Sequence, residues 1–233
     1  MTTAKQVQAL MKPLVERHSD LAIVGRYVFL HPIQHFVRGI YIDRSLDKDA
    51  FDPDWGVTML FRPGNSLATA WETYISAPKV GVWNINRPTT QQDMIRQIED
   101  NALPVLRQIT TMDEFVAFAS DERFPGRSWK AWSLTRLIFQ AALGDLDAAR
   151  ATCDKLSELR YIPRDTASRE IHLTIIEGLA PLLERNDRTA IGNLLRAWEA
   201  ARVKKHKMEK YWQPTPFPLE LEAPAQGALP SRP

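Results

Sequence analysis

One cysteine, Cys153, stands in 233 residues, so no intrachain disulfide can form. Glycine is scarce as well, at ten residues, and none of them builds the G-x-x-x-x-G-K-[ST] or G-x-G-x-x-G loops that cradle phosphates. The nucleophile elbow G-x-S-x-G is missing. No stretch reaches the roughly 18 consecutive apolar residues that read as a membrane-spanning helix. Neither sign of charge prevails: 30 Lys and Arg against 28 Asp and Glu leave 30 − 28 = +2. The pI near 8.7 reflects that small excess and is not by itself the footprint of a nucleic-acid binder. These absences argue against a disulfide scaffold, a P-loop or dinucleotide enzyme, an α/β-hydrolase and a helical membrane protein.

What is present is ordinary for a globular chain: 44% apolar and 25% charged residues, with seven tryptophans. The length suffices for a sizeable core without metal or disulfide staples. Cys153 shares a helical face with Ala149 and Leu156, which suits a small buried hydrophobe better than a reactive thiol. The first twenty residues are broken by Lys5, Gln8 and Lys12, so they are not expected to act as a signal peptide. A cytoplasmic setting is the expectation, and a lone thiol agrees with it.

Periodicity divides the chain. Val7, Leu10, Met11 and Leu14 share one face of an opening helix, which Pro13 is expected to bend or end. Residues 21–30 and 35–42 then read as strands, joined by a turn at His31-Pro32-Ile33-Gln34. In the second of them, His35, Val37, Gly39 and Tyr41 alternate with Phe36, Arg38, Ile40 and Ile42. Residues 56–63 and 79–85 supply a third and a fourth strand, while 66–75 is ambiguous between helix and strand. After Pro88 the period becomes helical, with capping boxes expected at Thr90/Asp93 and Thr111/Glu114 and a division at Pro104. A loop over 121–128 precedes two helical hairpins, with Gly144 and Asp145 at the first turn and starts near Asp165 and Asp187. His172 is read as a surface or half-buried helix residue. The stretch LIFQAALGDLDAARATCDKLSEL resembles one tetratricopeptide-like helix pair, but no second unit repeats it at a 34-residue register. The chain past residue 209 is rich in proline and is expected to be an extended appendage.

The fold class expected is therefore α+β: a small antiparallel sheet of about four strands in the N-terminal half, then a helical half with two hairpins. The sheet is expected to be covered on one face by the first helix and the helices of 90–120. The domain reading is 1–120 for the sheet-containing region, 121–208 for the helical hairpins packed on it, and 209–233 for the tail.

Residues 31–56 concentrate the residue types that carry chemistry. His31 and His35 have the spacing of a helical metal pair, but Pro32 between them forbids that helix and no Glu base accompanies them. The aspartates at 43, 47, 49, 52 and 54 fail the EF-hand register, because the fifth position from Asp47 is Phe51 and the sixth is Asp52. Asp52-Pro53-Asp54 reads as a turn. No metal and no cofactor is expected. If a small-molecule site exists, it is expected at His35, Arg38, Tyr41 and Asp43. A second candidate is the basic segment 201–212, where Arg202, Lys204, Lys205, Lys207 and Lys210 could meet phosphates and Trp212 could stack on bases. A basic helix end also suits the macrodipole. The reading these points favour is a non-enzymatic cytoplasmic module whose partner is another protein, of the kind seen in bacterial immunity or antitoxin proteins. A small-molecule site in 31–44 and nucleic-acid binding through 202–212 are the alternatives, and no membrane partner is expected.

Overall fold

Capping and spacing define the first helix, α1, Ala4–Arg17. The computed structural model describes residues 2–64, 66–67, 71–77, 81–120, 132–158 and 165–221. Thr3 and Gln6 close a capping box at the helix start, and Val7, Leu10, Met11 and Leu14 are buried. Pro13 lies inside α1 and does not end it. A proline frees the carbonyl four residues back, here Ala9. The Gln91 amide donates to Ala9 O at 3.4 Å and to Leu10 O at 2.8 Å, so a side chain from another helix supplies the missing donor.

The sheet has six strands rather than four: β1 Leu21–Val24, β2 Tyr27–Leu30, β3 Phe36–Arg44, β4 Ala50–Met59, β5 Trp71–Tyr74 and β6 Trp83–Asn84. It is antiparallel, in the order β1-β2-β3-β4-β5, with β6 also on β4. Two misreadings account for the count. Residues 21–30 are a tight hairpin and not one strand, because Gly25 takes φ +61° and reverses the chain. The ambiguous 66–75 stretch contributes β5. In addition, β4 begins at Ala50 and absorbs Asp52-Pro53-Asp54, which was expected as a turn. Pro53 is tolerated there for a local reason. Its carbonyl accepts from Ile75 N at 2.9 Å on the β5 side. The N–H and C=O of one strand residue point the same way, so the missing donor also faces that side, where β4 changes partner from β6 to β5.

At the centre of one line across the sheet, two positions admit only glycine. Phe29, Gly39, Gly56 and Glu72 are successive register partners on β2, β3, β4 and β5. A Cβ at Gly39 would overlap the Val28 carbonyl oxygen, and one at Gly56 the Trp71 carbonyl oxygen. Backbone therefore approaches backbone more closely there than any side chain permits.

Both faces of the sheet are covered. On the first, Phe36 stacks on Phe115 at 4.2 Å, and Trp71 meets Phe115 edge-on at 4.7 Å. Phe115 belongs to α4, Met112–Ala119, which follows α2, Thr90–Gln97, a π-turn over Ile98–Ala102 and α3, Leu103–Leu106. Pro104 does not break the run as expected: α2, the π-turn and α3 follow one another without a gap, and that proline sits in the first turn of α3. The box expected at Thr90/Asp93 is not: Thr89 holds the cap position, and the Thr90 hydroxyl donates to Asn84 O at 2.7 Å. The box at Thr111/Glu114 forms as expected. On the second face, Phe29, Ile33, Val37 and Leu60 pack with Val203 and Met208. Val203 lies near the end of α8, Arg188–Lys205, and a 3-10 turn, Glu209–Tyr211, follows it.

Contacts group the chain into two units, Met1–Ala131 with Arg196–Thr215, and Trp132–Leu195 with Pro216–Pro233. The second unit contains α5 Ser133–Leu143, α6 Leu146–Glu158, α7 Thr166–Glu184, the first turns of α8 and α9 Pro218–Leu221. Gly144 ends α5 in the left-handed conformation, φ +86°. Asp145, Asp165 and Asp187 each accept a backbone N–H at the helix start that follows. Cys153 is buried, as expected, and so is His172, which was expected nearer the surface. Phe217 and Leu219 are buried too, so the appendage expected from 209 does not begin there: each proline alternates with a side chain that finds cover. The loop read over 121–128 and the chain from 222 onward lie outside the described residues.

Two outcomes follow. Gly39→Ala and Gly56→Ala each lower stability in urea unfolding by more than about 2 kcal/mol, since the clash is with backbone. Gly25→Ala, with open space around it, loses only about 1 kcal/mol of backbone strain. Equal losses at all three would contradict the close-approach line. Glu114 accepts from Thr110 Oγ1 and N and from Thr111 N, and these bonds pull its carboxyl from 4.5 down to about 2. A depressed carboxylate stabilises above its unfolded pKa and loses that contribution as pH falls toward its folded value. NMR titration of Glu114 should therefore give a midpoint near 2, and Glu114→Gln should flatten the acid loss of stability between about pH 4.5 and 2; a midpoint near 4.5 would refute this.

Candidate interaction surface

Alternation along β3 parts Arg38 from Tyr41 and Asp43, and His35, which precedes the strand, lies six residues from Tyr41: the four do not converge. Arg38 points to the α4 side, donating to Ile109 O at 2.8 Å and to Pro32 O at 3.4 Å. Burial lowers its pKa, against the opposing charges of Asp20 and Glu114. Tyr41 stacks on Tyr27 with ring centroids 4.5 Å apart. Asp43 is exposed and accepts from the neighbouring Arg44 N–H. His35 is buried at 6% exposure and turns to the C-terminal part of the chain.

There it joins a polar chain that sequence reading missed, because the partners lie more than 160 residues away. His35 Nδ1 lies 3.0 Å from Glu199 Oε2, and His35 Nε2 lies 3.1 Å from Thr215 Oγ1. Trp212 Nε1 donates to Glu199 Oε1 at 2.6 Å. Glu199 itself is 1% exposed. The tautomer with its proton on Nδ1 satisfies every member: the ring donates to the carboxylate and accepts from the hydroxyl. The order hydroxyl, imidazole, carboxylate is that of a nucleophilic triad. The carboxylate's second oxygen is taken by the indole, and the ring meets Phe36 and Phe61 edge-to-face. What the chain accomplishes is fastening. Together with Ile33 N to Tyr211 O and Gln213 N to Ile33 O, both 2.8 Å, it ties residues 211–215 to the β2–β3 turn. The His31–Pro32 bond in that turn is cis, and His31 packs against Tyr211.

The basic segment divides. Arg202 is buried and donates to the carbonyls of Met59 and Ser66. Trp212 is half-buried, and its indole N–H is taken by Glu199. Lys204, Lys205, Lys207 and Lys210 are exposed, and Lys210 lies 4.5 Å over the Tyr211 ring. Asp47 caps its own turn through Asp49 N. Among the described residues, no three His, Cys, Asp or Glu side chains are grouped to hold a metal.

The surface that stands out lies at the β5–β6 border. Tyr74 is 67% exposed and Val82 is 50% exposed. Both line a shallow cleft of about 190 Å³ with Pro53, Ile75 and Trp83. A second cleft of about 110 Å³ shares Ala77, Val82 and Trp83 with the first, and Arg87 and Asp93 also line it. The floor is firm: Trp83 is buried and its indole N–H donates to Ile75 O at 2.7 Å. The signal for Tyr74 was the alternation in WETYI, which places Glu72 and Tyr74 together once the stretch is taken as a strand. A larger cleft of about 650 Å³, lined by residues of α1 and α2, is rimmed by charges already paired, such as Arg17 with Glu99 at 3.4 Å.

Removing one member of the buried pair leaves the other without its partner. His35→Ala and Glu199→Ala should each cost about 2–4 kcal/mol in denaturant unfolding, and the double variant should cost clearly less than their sum. Strict additivity would show that the pair is not coupled.

No protein-family model, curated protein or solved structure matches this chain.

Proposed function

We propose that this chain is a non-enzymatic protein-binding module that holds its partner through the Tyr74–Val82 surface. The observation that carries the reading is an exposed tyrosine beside an exposed valine on a floor of buried Trp83 and Ile75. Grouped apolar exposure with a polar margin is how contact surfaces differ from scattered surface hydrophobes. Tyrosine is favoured at such centres because it gives a large contact area and loses little conformational freedom. Asp52, Arg87 and Asp93 provide charges of both signs at the margin, which set orientation more than affinity.

The clefts themselves, at about 190 and 110 Å³, fall below the ~300–1,000 Å³ of ligand pockets. They suit single side chains of a partner better than a substrate or cofactor. The divergence of His35, Arg38, Tyr41 and Asp43 also favours binding over catalysis. Capture and neutralisation of another protein, as in immunity or antitoxin proteins, is the kind of task such a surface serves.

The test compares baits in native lysate: the unaltered chain, a Tyr74→Asp/Val82→Asp double variant, and Leu173→Asp as a control at an exposed site in the second unit. The expected result is one stoichiometric protein retained by the first and third baits and lost, with affinity down at least tenfold, by the second, whose thermal midpoint is unchanged. Retention of the same protein by the double variant, or no specific protein on any bait, defeats the reading.

A further inference from the structure

The cleft of about 650 Å³ in the first unit lies between α1 and α2, and both of its ends are bridged. At one end the Gln91 amide donates to the carbonyls of Ala9 and Leu10. At the other, Glu99 Oε1 lies 2.9 Å from His18 Nε2 and 3.4 Å from Arg17 Nη2. The start of one helix thus meets the start of the other, and end meets end, so the two run side by side in one direction. Between the bridges, buried Ile95 and half-buried Pro13 supply an apolar lining.

The charges in the middle of this cleft do not cancel across it. Glu16 stands on the α1 wall and Arg96 on the α2 wall, both exposed. Glu16 pairs with Lys12 at 3.5 Å and Arg96 with Asp93 at 3.9 Å, each on its own helix. Among the described residues, no ion pair joins Glu16 to Arg96 across the opening. Exposed pairs within one helix are weak, so either side chain can turn to a better partner at little cost. A carboxylate and a guanidinium therefore line one cavity, on opposite walls, with open space between them.

What fills that space must carry both charges. A lone anion would meet Glu16 and Glu99 along with Arg17 and Arg96, and a lone cation would meet the reverse. A zwitterion gains from both walls. Its carboxylate accepts the paired donors of Arg96, its ammonium donates to Glu16, and an apolar side chain covers Pro13 and Ile95. The volume lies within the ~300–1,000 Å³ of small-ligand sites.

We propose that the α1–α2 cleft binds a small zwitterion with an apolar side chain, a free amino acid or a dipeptide, with Arg96 on its carboxylate and Glu16 on its ammonium. The site shares no lining residue with the clefts of the Tyr74–Val82 surface, so either reading can fail without the other.

The test is calorimetric titration of the full chain with L-leucine and with leucyl-leucine. The controls are N-acetyl-L-leucine, which lacks the ammonium, and L-leucinamide, which lacks the carboxylate. A zwitterion should bind at one site, in the millimolar range or tighter, and each blocked form should bind at least about tenfold more weakly. Tighter binding of leucine assigns a free amino acid, and tighter binding of leucyl-leucine a peptide. Arg96→Gln and Glu16→Gln should each weaken binding about tenfold, with the thermal midpoint within about 1 °C of the unaltered chain because both side chains are exposed. Amide NMR shifts induced in the unaltered chain should map to residues 13–17 and 91–99, a readout that needs no variant. Absence of binding by both zwitterions, equal binding of the blocked forms, shifts confined to other residues, or binding that survives both substitutions overturns the proposal.

Discussion

The first unit depends on a pair of glycines set opposite each other. Gly39 and Gly56 face across β3 and β4, and each lets the next strand outward come in over the space a Cβ would occupy. That approach brings β2 and β5 inward on both sides of the central pair. It sets where Phe29 and Trp71, both fully buried, sit relative to the faces they fill. Packing of this density tolerates no extra atom at such a line. The aromatic contacts on one face and the cluster around Val37 on the other both follow from it.

Polar burial in this unit has a common pattern. Arg26, 8% exposed, donates to the carbonyls of Thr2 and Ile42, Arg38 to those of Ile109 and Pro32, and Arg202 to those of Met59 and Ser66. Each gathers two carbonyls from different parts of the chain. Arginine serves here as a connector of backbone. The exposed ion pairs, such as Lys12 with Glu16, add little beside these. Glu199 is the complementary case, an acceptor that collects the donors of His35 and Trp212.

Local grammar was legible where it acts over a few residues. The buried stripe of α1, the Thr111/Glu114 box, the Gly144 stop and the alternation of β3 were all readable from spacing. The hairpin at Gly25 was less so, since a single glycine within a β-branched run gives no pattern of its own. Pro13 within α1 and Pro53 within β4 are accommodated for one shared reason: what a proline removes can be supplied, or made unnecessary, by a distant segment that spacing does not reveal. The same limit hid the site residues. Nothing near His35 announces Glu199 or Thr215, and nothing near Arg202 announces the carbonyls it serves, so a basic run read as surface proved to be partly interior. Tyr74 was hidden differently, within a stretch whose period was ambiguous.

The first unit is assembled from two separate stretches, Met1–Ala131 and Arg196–Thr215, with residues 132–195 between them. Val203, Met208 and Glu199 thus reach their places beside Val37 and His35 only through contacts of very long sequence separation. Such contacts raise contact order and slow folding, because chain entropy is lost before they repay it. During synthesis, the strands emerge long before the segment that covers one of their faces. The helices of the second unit, whose contacts are local, can form in that interval, while the sheet waits with Phe29 and Ile33 uncovered. The period in which this chain is most open to aggregation or to a chaperone is thereby written into the order of its segments.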